Sequence, residues 1–230
     1  MAGFRFDVAL MATITAIEVQ KRRPDRVNVD LDGEFAFSLA AVVAAGLKVG
    51  LCLEAKRIAA LQAADADESA YQRALHVLSL RDRSESELRT HLRRRQTPDD
   101  VIERTLARLR QRRHADDRRF ARSWVQNRVD FRPRGRRALA WELQRKGISS
   151  EIVQSALAEI DESALAHQAG LKKARQLTGA DWQEFRKKVS AYLARRGFPA
   201  SMIASTVSAL WTEIHSGQAS PQQEKTEDIT

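Results

Sequence analysis

The sequence predicts a mainly α-helical protein, in which three tandem three-helix repeats follow a small α+β module with a three-stranded antiparallel sheet. The composition favours helix over sheet, because 30% of the residues are charged and 6% are aromatic. The repeat is visible in the apolar residues: Leu88, Leu139 and Val189 are separated by 51 and then 50 residues. Four further apolar positions recur at the same offsets. Tandem units of this kind stack into an elongated, often curved array.

The α+β module is expected over residues 13–66, after a flexible extension over residues 1–12 in which Met11 is an alternative start. Alternation of apolar and polar residues predicts its strands, which cover 14–19, 26–31 and 34–37. Asp32-Gly33 supplies the two left-handed residues of a tight hairpin, and Pro24-Asp25 has the chemistry of the other turn.

Two helices complete the predicted module. Ser38 is expected to cap a short helix from Leu39 to Ala45, and a second helix covers residues 54–64. The acidic run at residues 65–68 is the expected domain boundary. Cys52 is the single cysteine of the sequence and lies between two leucines, which predicts an inert buried thiol and a reducing, cytoplasmic environment.

The three repeats are expected over residues 67–114, 115–161 and 162–215, and residues 216–230 are expected to be a disordered tail. Their predicted helices cover 70–80, 85–95 and 98–112, then 117–129, 135–146 and 150–160, and finally 163–177, 182–196 and 200–213. Ser84 with Glu87 predicts a capping box, and Asp116 predicts an N-cap.

A turn between the second and third helices recurs in the repeats. Gly147 and Gly197 follow basic residues at the end of a helix and supply a left-handed stop. The first repeat has Gln96 instead, so either Gln96 adopts an unfavourable conformation or the turn differs.

The positive charge is local. Residues 81–146 contain 21 Lys or Arg against 10 Asp or Glu, although the whole chain carries only +9. A concentrated Arg surface with few interleaved acids favours binding to a polyanion, or to a protein that handles one, over a face that only confers solubility. The candidate binding residues are Arg89, Arg93, Arg94, Arg128, Arg132, Arg134, Arg136, Arg137, Arg145 and Lys146.

The sequence gives little support for catalysis or for a cofactor. The five His residues are scattered without metal-ligand spacing, and no Gly-rich phosphate loop occurs. Capping explains Asp116-Asp117 better than catalysis does. The four Trp residues are expected to pack in the core, with base stacking by Trp141 as a minor alternative. No apolar run approaches the length of about 20 residues that spans a membrane.

Several motifs resemble the RecX family, which comprises regulatory proteins of the bacterial recombinase RecA. The resemblance rests on residues 116–128, with Asp-Asp-Arg-Arg-Phe-Ala-Arg-Ser at the start, on residues 81–88 and 142–148, and on residues 26–35. It covers residues 14–210. The chain departs from the family at His114-Ala115, where an aromatic and an aliphatic residue are usual, at Gln96 in place of Gly, and in its extra N-terminal residues.

The resemblance implies a function. Proteins of this family consist of three-helix repeats, are not enzymes, and bind within the groove of the RecA–DNA filament. They restrain ATP hydrolysis, strand exchange and coprotease activity, and so affect homologous recombination, DNA repair and the SOS response. Family-motif positions expected to be structural are Asp116, Asp117, Phe120, Ala121 and Gly147.

The expected protein is therefore a cytoplasmic monomer that binds the RecA nucleoprotein filament, with single- or double-stranded DNA as a weaker direct contact and with no membrane contact. The Arg surface is the expected contact. The alternatives are a helix-turn-helix-like DNA-binding regulator that acts alone and an inert helical scaffold.

Overall fold

The computed structural model describes residues 11–216, and it confirms the predicted fold class: an antiparallel sheet precedes three copies of a three-helix unit. Residues 1–10 of the expected extension and residues 217–230 of the expected tail lie outside the described residues. The chain divides into two compact units between Ala115 and Asp116.

The sheet of the first unit has four strands, not the three that alternation predicted. Strands β1 (Met11–Gln20), β2 (Arg23–Leu31), β3 (Glu34–Ala40) and β4 (Cys52–Glu54) are antiparallel in the order β3-β2-β1-β4. Strand β4 has three residues, which is too short to show a period. It pairs with Met11–Thr13, so the start of β1 is not part of a flexible extension.

Of the two predicted hairpin turns, one is confirmed and the other is wrong. Asp32 and Gly33 have φ of 50° and 91°, which confirms the tight turn between β2 and β3. The turn between β1 and β2 lies at residues 21–22, so the expected turn at Pro24-Asp25 is wrong and both residues belong to β2.

The short helix α1 (Ala41–Ala44) has Ala40 at its N-cap position, and Ser38 lies in β3. The cap predicted at Ser38 is therefore wrong. Cys52 is exposed, which contradicts the expected buried thiol, because the alternation of β4 buries Leu53 instead.

One helix, α2 (Ala55–Leu80), replaces the two helices expected around residues 65–68. The acidic run does not interrupt the helix, because each of three carboxylates binds an arginine from another element. Asp65 accepts from Arg26, Asp67 from Arg104, and Glu68 from Arg108. The helix thus packs against the sheet at one end and against the first repeat at the other.

The first repeat is completed by α3 (Glu85–Arg94) and α4 (Asp99–Gln111). Ser84 and Glu87 form the predicted capping box. Leu88, Leu92 and Ile102 are fully buried, as the apolar period predicted.

The second unit contains the other two repeats. Its helices are α5 (Asp117–Phe131), α6 (Arg136–Arg145), α7 (Ser150–Leu157), α8 (Glu162–Ala174), α9 (Trp182–Arg195) and α10 (Ala200–Ser216). The Asp116 side chain accepts from the backbone N–H groups of Arg118 and Arg119, which confirms the predicted N-cap. The buried residues Leu139, Leu143, Val189 and Leu193 hold the repeat positions predicted for them.

The recurring turn is the same in all three repeats. Gly147 and Gly197 have φ of 78° and 85°, and Gln96 has φ of 57° at the corresponding position. Of the two alternatives that the sequence left open, Gln96 therefore adopts the left-handed conformation, at a cost that Gly avoids.

Candidate nucleic-acid interface

Glu142 organises the basic residues of the second repeat. Its carboxylate accepts a hydrogen bond from Trp124 Nε1 at 2.7 Å and from Arg128 Nε at 2.9 Å. Arg134 is ion-paired to its other oxygen at 2.8 Å. The Glu142 side chain is only 9% exposed, so these charge-assisted bonds satisfy a carboxylate that has little access to water. Arg128 and Arg134 are therefore held by the fold of this repeat.

Trp124 connects this carboxylate to further cations. Arg128 and Lys146 each lie 4.4 Å from the centre of its indole ring, and Phe120 stacks on it with ring centres 5.9 Å apart. Cations near an aromatic face gain roughly 0.5–2 kcal/mol, so Lys146 also contributes to packing.

Arg136 has contacts that are structural. Its guanidinium donates to the carbonyl of Ile160 at 2.5 Å, beyond the end of α7. Its backbone N–H donates to Glu162 at 2.7 Å. These bonds connect the start of α6 to the start of α8, so Arg136 joins the second repeat to the third.

The outer face of α6 presents a different set of residues. Arg137, Trp141 and Arg145 follow one another at i, i+4 and i+8, which places them in a row on one face of the helix. The Arg145 guanidinium lies 4.6 Å from the centre of the Trp141 ring, and Trp141 is 55% exposed. We call Arg137, Trp141 and Arg145 the α6 row. The core position expected for Trp141 is wrong.

Both arginines of the α6 row are exposed, and in the part of the chain that the structure describes neither has an ion-pair partner. Arg132, just after α5, is also exposed and unpaired within residues 11–216. A planar guanidinium without an acidic partner can bind a phosphate through two N–H groups, and an exposed indole offers a surface on which a base can stack.

In the first repeat, two of the three candidate arginines are engaged by acids. Arg89 forms a bidentate pair with Glu103, with N–O distances of 2.7 and 2.9 Å, and Arg93 pairs with Asp99 at 2.8 Å. Arg94 is exposed and has no ion pair among the described residues. It is the counterpart of Arg145 in the repeat alignment.

The expectation that few acids neutralise the Arg surface is therefore wrong for half of the ten candidates. The five that pair with a carboxylate are Arg89, Arg93, Arg128, Arg134 and Arg136. Their partners lie 6 to 26 residues away along the chain and in another helix or turn, so the sequence pattern gave no sign of the pairs. Exposure and the lack of an ion pair within residues 11–216 separate Arg94, Arg132, Arg137 and Arg145 from the rest.

The family-motif residues lie in the folding framework. Asp116 caps α5 and Asp117 is its first residue, Phe120 and Ala121 are buried, and Gly147 forms the left-handed turn.

Among residues 11–216, no group of three His, Cys, Asp or Glu side chains is arranged to hold a metal ion. Over the same range, no helix combines the length and the apolar character needed to cross a membrane.

These features define a class: a tandem three-helix-repeat protein with an N-terminal antiparallel sheet and a basic, Trp-containing surface on its second repeat. Sequence profiles of four domains match it in order. They are the regulatory protein RecX N-terminal domain over residues 12–54 and the first, second and third three-helix domains of RecX over 70–109, 116–157 and 160–207. The chain belongs to the RecX family.

Individual relatives agree with this assignment. A regulatory protein RecX from Bacillus velezensis is 34% identical over 201 residues, and the match covers 84% of this chain and 75% of that protein. One from Prosthecochloris aestuarii is 37% identical over 143 residues, covering 62% of this chain and 94% of the relative. A crystal structure of regulatory protein RecX is similar with a TM-score of 0.69 at 32% identity, covering 85% of this chain and 98% of that one.

Proposed function

We propose that this protein is a non-enzymatic regulator that binds the RecA–DNA filament and inhibits RecA ATP hydrolysis, strand exchange and coprotease activity. Membership of a family of regulatory proteins supports the regulatory role. The filament contact follows from the family resemblance. The single observation that supports a location for it is the α6 row, in which Trp141 is 55% exposed between two arginines that have no ion pair within residues 11–216.

The α6 row suits a polyanion for physical reasons. A large exposed aromatic residue is costly on a surface that has no partner, and the row combines it with guanidinium groups that bind phosphate oxygens in pairs. Arg94 and Arg132, which have no ion pair in the described part of the chain, supply further positive charge. Arg89, Arg93, Arg128, Arg134, Arg136 and Lys146 then belong mainly to the scaffold, because their cationic groups contact acids, carbonyls or aromatic rings of the same unit.

Direct DNA binding through this surface should be weak and should depend on salt. Each phosphate contact on single-stranded nucleic acid contributes a slope of roughly −0.7 to the dependence of log K on log salt concentration. Such a protein acts in the cytoplasm where the filament forms, and we place it there as a monomer.

The test is inhibition of RecA. Increasing amounts of the protein are added to RecA on single-stranded DNA while ATP hydrolysis is followed, from well below one protein per RecA to equimolar. The wild-type chain should inhibit, and Arg137→Gln/Arg145→Gln should inhibit at least tenfold less effectively. Lys56→Gln/Arg57→Gln is the matched control, since these exposed residues of α2 change the net charge by the same amount.

Three results would count against the proposal. Absence of inhibition at every ratio would exclude the filament as the target. Equal loss in the α6 and control variants would mean that overall charge matters and the α6 row does not. Tight, sequence-dependent binding to duplex DNA without RecA would instead favour a regulator that acts alone.

A further inference from the structure

A second basic region lies in the first unit. It is a cleft of about 850 Å³ bounded by β2, the end of β3, α2 and α3. This volume is within the range of small-molecule sites, about 300–1,000 Å³. The residues that matter most for its charge are Arg73 and His76 on α2 and His91 and Arg95 near the end of α3.

The acidic side chains that line the cleft already have partners. Asp65 accepts from Arg26 at 2.9 Å and from the backbone N–H of Ala40 at 2.6 Å. Glu68 pairs with Arg108 at 2.6 Å and accepts from Gln72 at 2.8 Å. Burial disfavours the charged form of Glu68, but these hydrogen bonds outweigh it and hold the pKa of its carboxyl below the ordinary value. The charges of Asp65 and Glu68 are thus balanced inside the fold.

Asp25, at the edge of the cleft, is paired with Arg23 at 3.6 Å. The remaining cations have no such balance. The side chains of Arg73, His76, His91 and Arg95 make no ion pair and no hydrogen bond to other residues in the described part of the chain. Their excess positive charge therefore faces the cleft.

The pKa of His91 reflects this positive charge. Its pKa is held below the ordinary value first by burial and then by the charges of Arg83, Arg95, Arg94 and Arg73. The four guanidinium groups whose charges lower this pKa come from α2, from the end of α3 and from the connection between these helices. Within residues 11–216, the cleft thus presents two guanidinium groups without an ion pair, those of Arg73 and Arg95, beside an imidazole N–H, while its carboxylates are already paired.

We propose that this cleft is a binding site for a phosphate group, with Arg73 and Arg95 as charged donors and His91 as a third donor. Tetrahedral phosphate accepts from several directions, which matches donors that come from both α2 and α3, and guanidinium binds its oxygens bidentately. The phosphate could belong to a small compound or to one position of a nucleic-acid backbone. The site lies in the first unit and does not depend on the filament contact proposed for α6.

The probe is pyrophosphate, titrated into the full chain by calorimetry at constant ionic strength in chloride. Saturable binding at about one site is expected, and Arg73→Gln/Arg95→Gln should weaken it at least tenfold. Lys56→Gln/Arg57→Gln serves again as the matched control and should bind as the wild type does. Circular dichroism of each variant excludes unfolding as the cause.

A residue-specific readout is the titration of His91, followed by NMR with and without pyrophosphate. An anion beside an imidazole favours its charged form, so the pKa of His91 should rise when pyrophosphate binds. The charged and titratable groups of the packed elements that bear on it are Arg23, Asp25 and Arg26 of β2, Asp65, Glu68, Arg73 and His76 of α2, Arg83 of the connection, and Arg94 and Arg95 at the end of α3.

Competition identifies the source of the phosphate. If a short single-stranded oligonucleotide displaces pyrophosphate, the site takes a backbone phosphate; if pyrophosphate stays bound, the site takes a small phosphate compound. Unsaturable binding, an unchanged His91 titration, or equal weakening in both double variants would overturn the proposal. None of these results would alter RecA inhibition by the α6 row, so the two proposals fail separately.

Discussion

Glu142 shows how one side chain can determine which arginines are free. It lies in α6 between Trp141, which is exposed, and Leu143, which is fully buried. Its carboxylate holds Arg128 and Arg134 and the indole N–H of Trp124. Because these groups converge on a nearly buried anion, they are fixed in the fold, and the α6 row on the outer face is left as the exposed cationic surface.

Glu142→Gln should therefore destabilise the second unit. The variant removes the negative charge but leaves Arg128, whose side chain is 20% exposed, without its counter-ion. Loss of one partner of a buried pair costs about 3–5 kcal/mol. Since Arg134 is 39% exposed and water screens it, we expect about 2 kcal/mol.

The free energy of unfolding, measured by urea denaturation, tests this value. Glu151→Gln is the control, because Glu151 pairs with Arg118 but its side chain is 81% exposed. That variant should change the free energy by less than about 0.5 kcal/mol. A similar small change in Glu142→Gln would mean that the carboxylate is not needed to hold the cluster.

His91 should make the stability depend on pH. Its pKa in the folded chain lies below the ordinary 6.5, so below that pH the unfolded chain binds a proton that the folded chain resists. The free energy of unfolding should therefore fall as the pH decreases through 6.5 towards the lower pKa of folded His91. His91→Gln cannot titrate and should lose less stability over that range.

Urea denaturation of both proteins between about pH 7 and pH 5 measures the difference. Other groups that titrate in this range are present in both proteins. The difference between their free energies of unfolding therefore reports the contribution of His91. Curves that stay parallel across the whole range would show that its proton is not linked to folding.

At the scale of elements, the sequence predicted well where one helix period was unbroken. Apart from the first, which begins at Ala55 instead of the predicted residue 70, the helices of the three repeats were found to within a few residues, because Leu, Ile and Val at constant offsets mark a buried face. The predicted caps at Ser84 and Asp116 were also right, because a cap needs only residues close in sequence.

The errors arose where distant residues decide the structure. An acidic run such as residues 65–68 is a reasonable linker signal, but Arg26, Arg104 and Arg108 each supply a partner from another element. Strand β4 exists because it pairs with β1, not because its own sequence alternates. The ion pairs of five candidate arginines were missed for the same reason, since their acidic partners lie on other helices or turns.

The backbones of the second and third repeats pack closely at Gly135 and Gly197. Gly135 donates its N–H to the carbonyl of Arg196 at 2.9 Å, and the Arg196 guanidinium donates to the carbonyl of Pro133 at 2.9 Å. A Cβ at Gly135 would lie 2.6 Å from the carbonyl carbon of Gly197 and 2.8 Å from the nitrogen of Phe198. Both atoms belong to the backbone, which cannot move aside as a side chain would.

Gly135→Ala should thus destabilise the second unit by about 2–3 kcal/mol, at the upper end of the usual cost of overpacking. The φ of Gly135 is −68°, which alanine adopts readily, so the cost is steric and not conformational. Gly179→Ala is the control, because apart from its chain neighbours no atom of the described residues lies within 4 Å of a Cβ built there. Equal stabilities of the two variants in thermal unfolding would contradict the close packing of these repeats.

At the scale of the whole molecule, the boundaries of the basic segment do not coincide with the boundary between the two compact units. The basic segment at residues 81–146 extends across the division at Ala115, whereas each compact unit has cores of its own. The two proposed binding surfaces follow the units and not the basic segment. The phosphate cleft belongs to the first unit, and the α6 row belongs to the second.

The second unit should fold without the first. Its two core clusters share the partly buried side chains of Val129 and Ile160, which pack against both. The backbone N–H groups of Gly135 and Arg136 donate to Arg196 and Glu162 of the third repeat. A fragment of residues 116–216 should therefore unfold in one cooperative transition. For about 100 residues, the calorimetric enthalpy near 60 °C should be roughly 70 kcal/mol.

A fragment of residues 162–216 is the matched comparison, because it keeps the third repeat but lacks the contacts with Gly135 and Arg136. It should be less stable and less cooperative, since a single three-helix unit of this size buries too little apolar surface. Two separate transitions in the longer fragment would show that the repeats fold as independent units. The Gly135→Ala variant of the longer fragment separates two sources of cooperativity. If the fragment unfolds in one transition and the variant does not, the cooperativity comes from the glycine contact, because the shared core residues are unchanged in the variant.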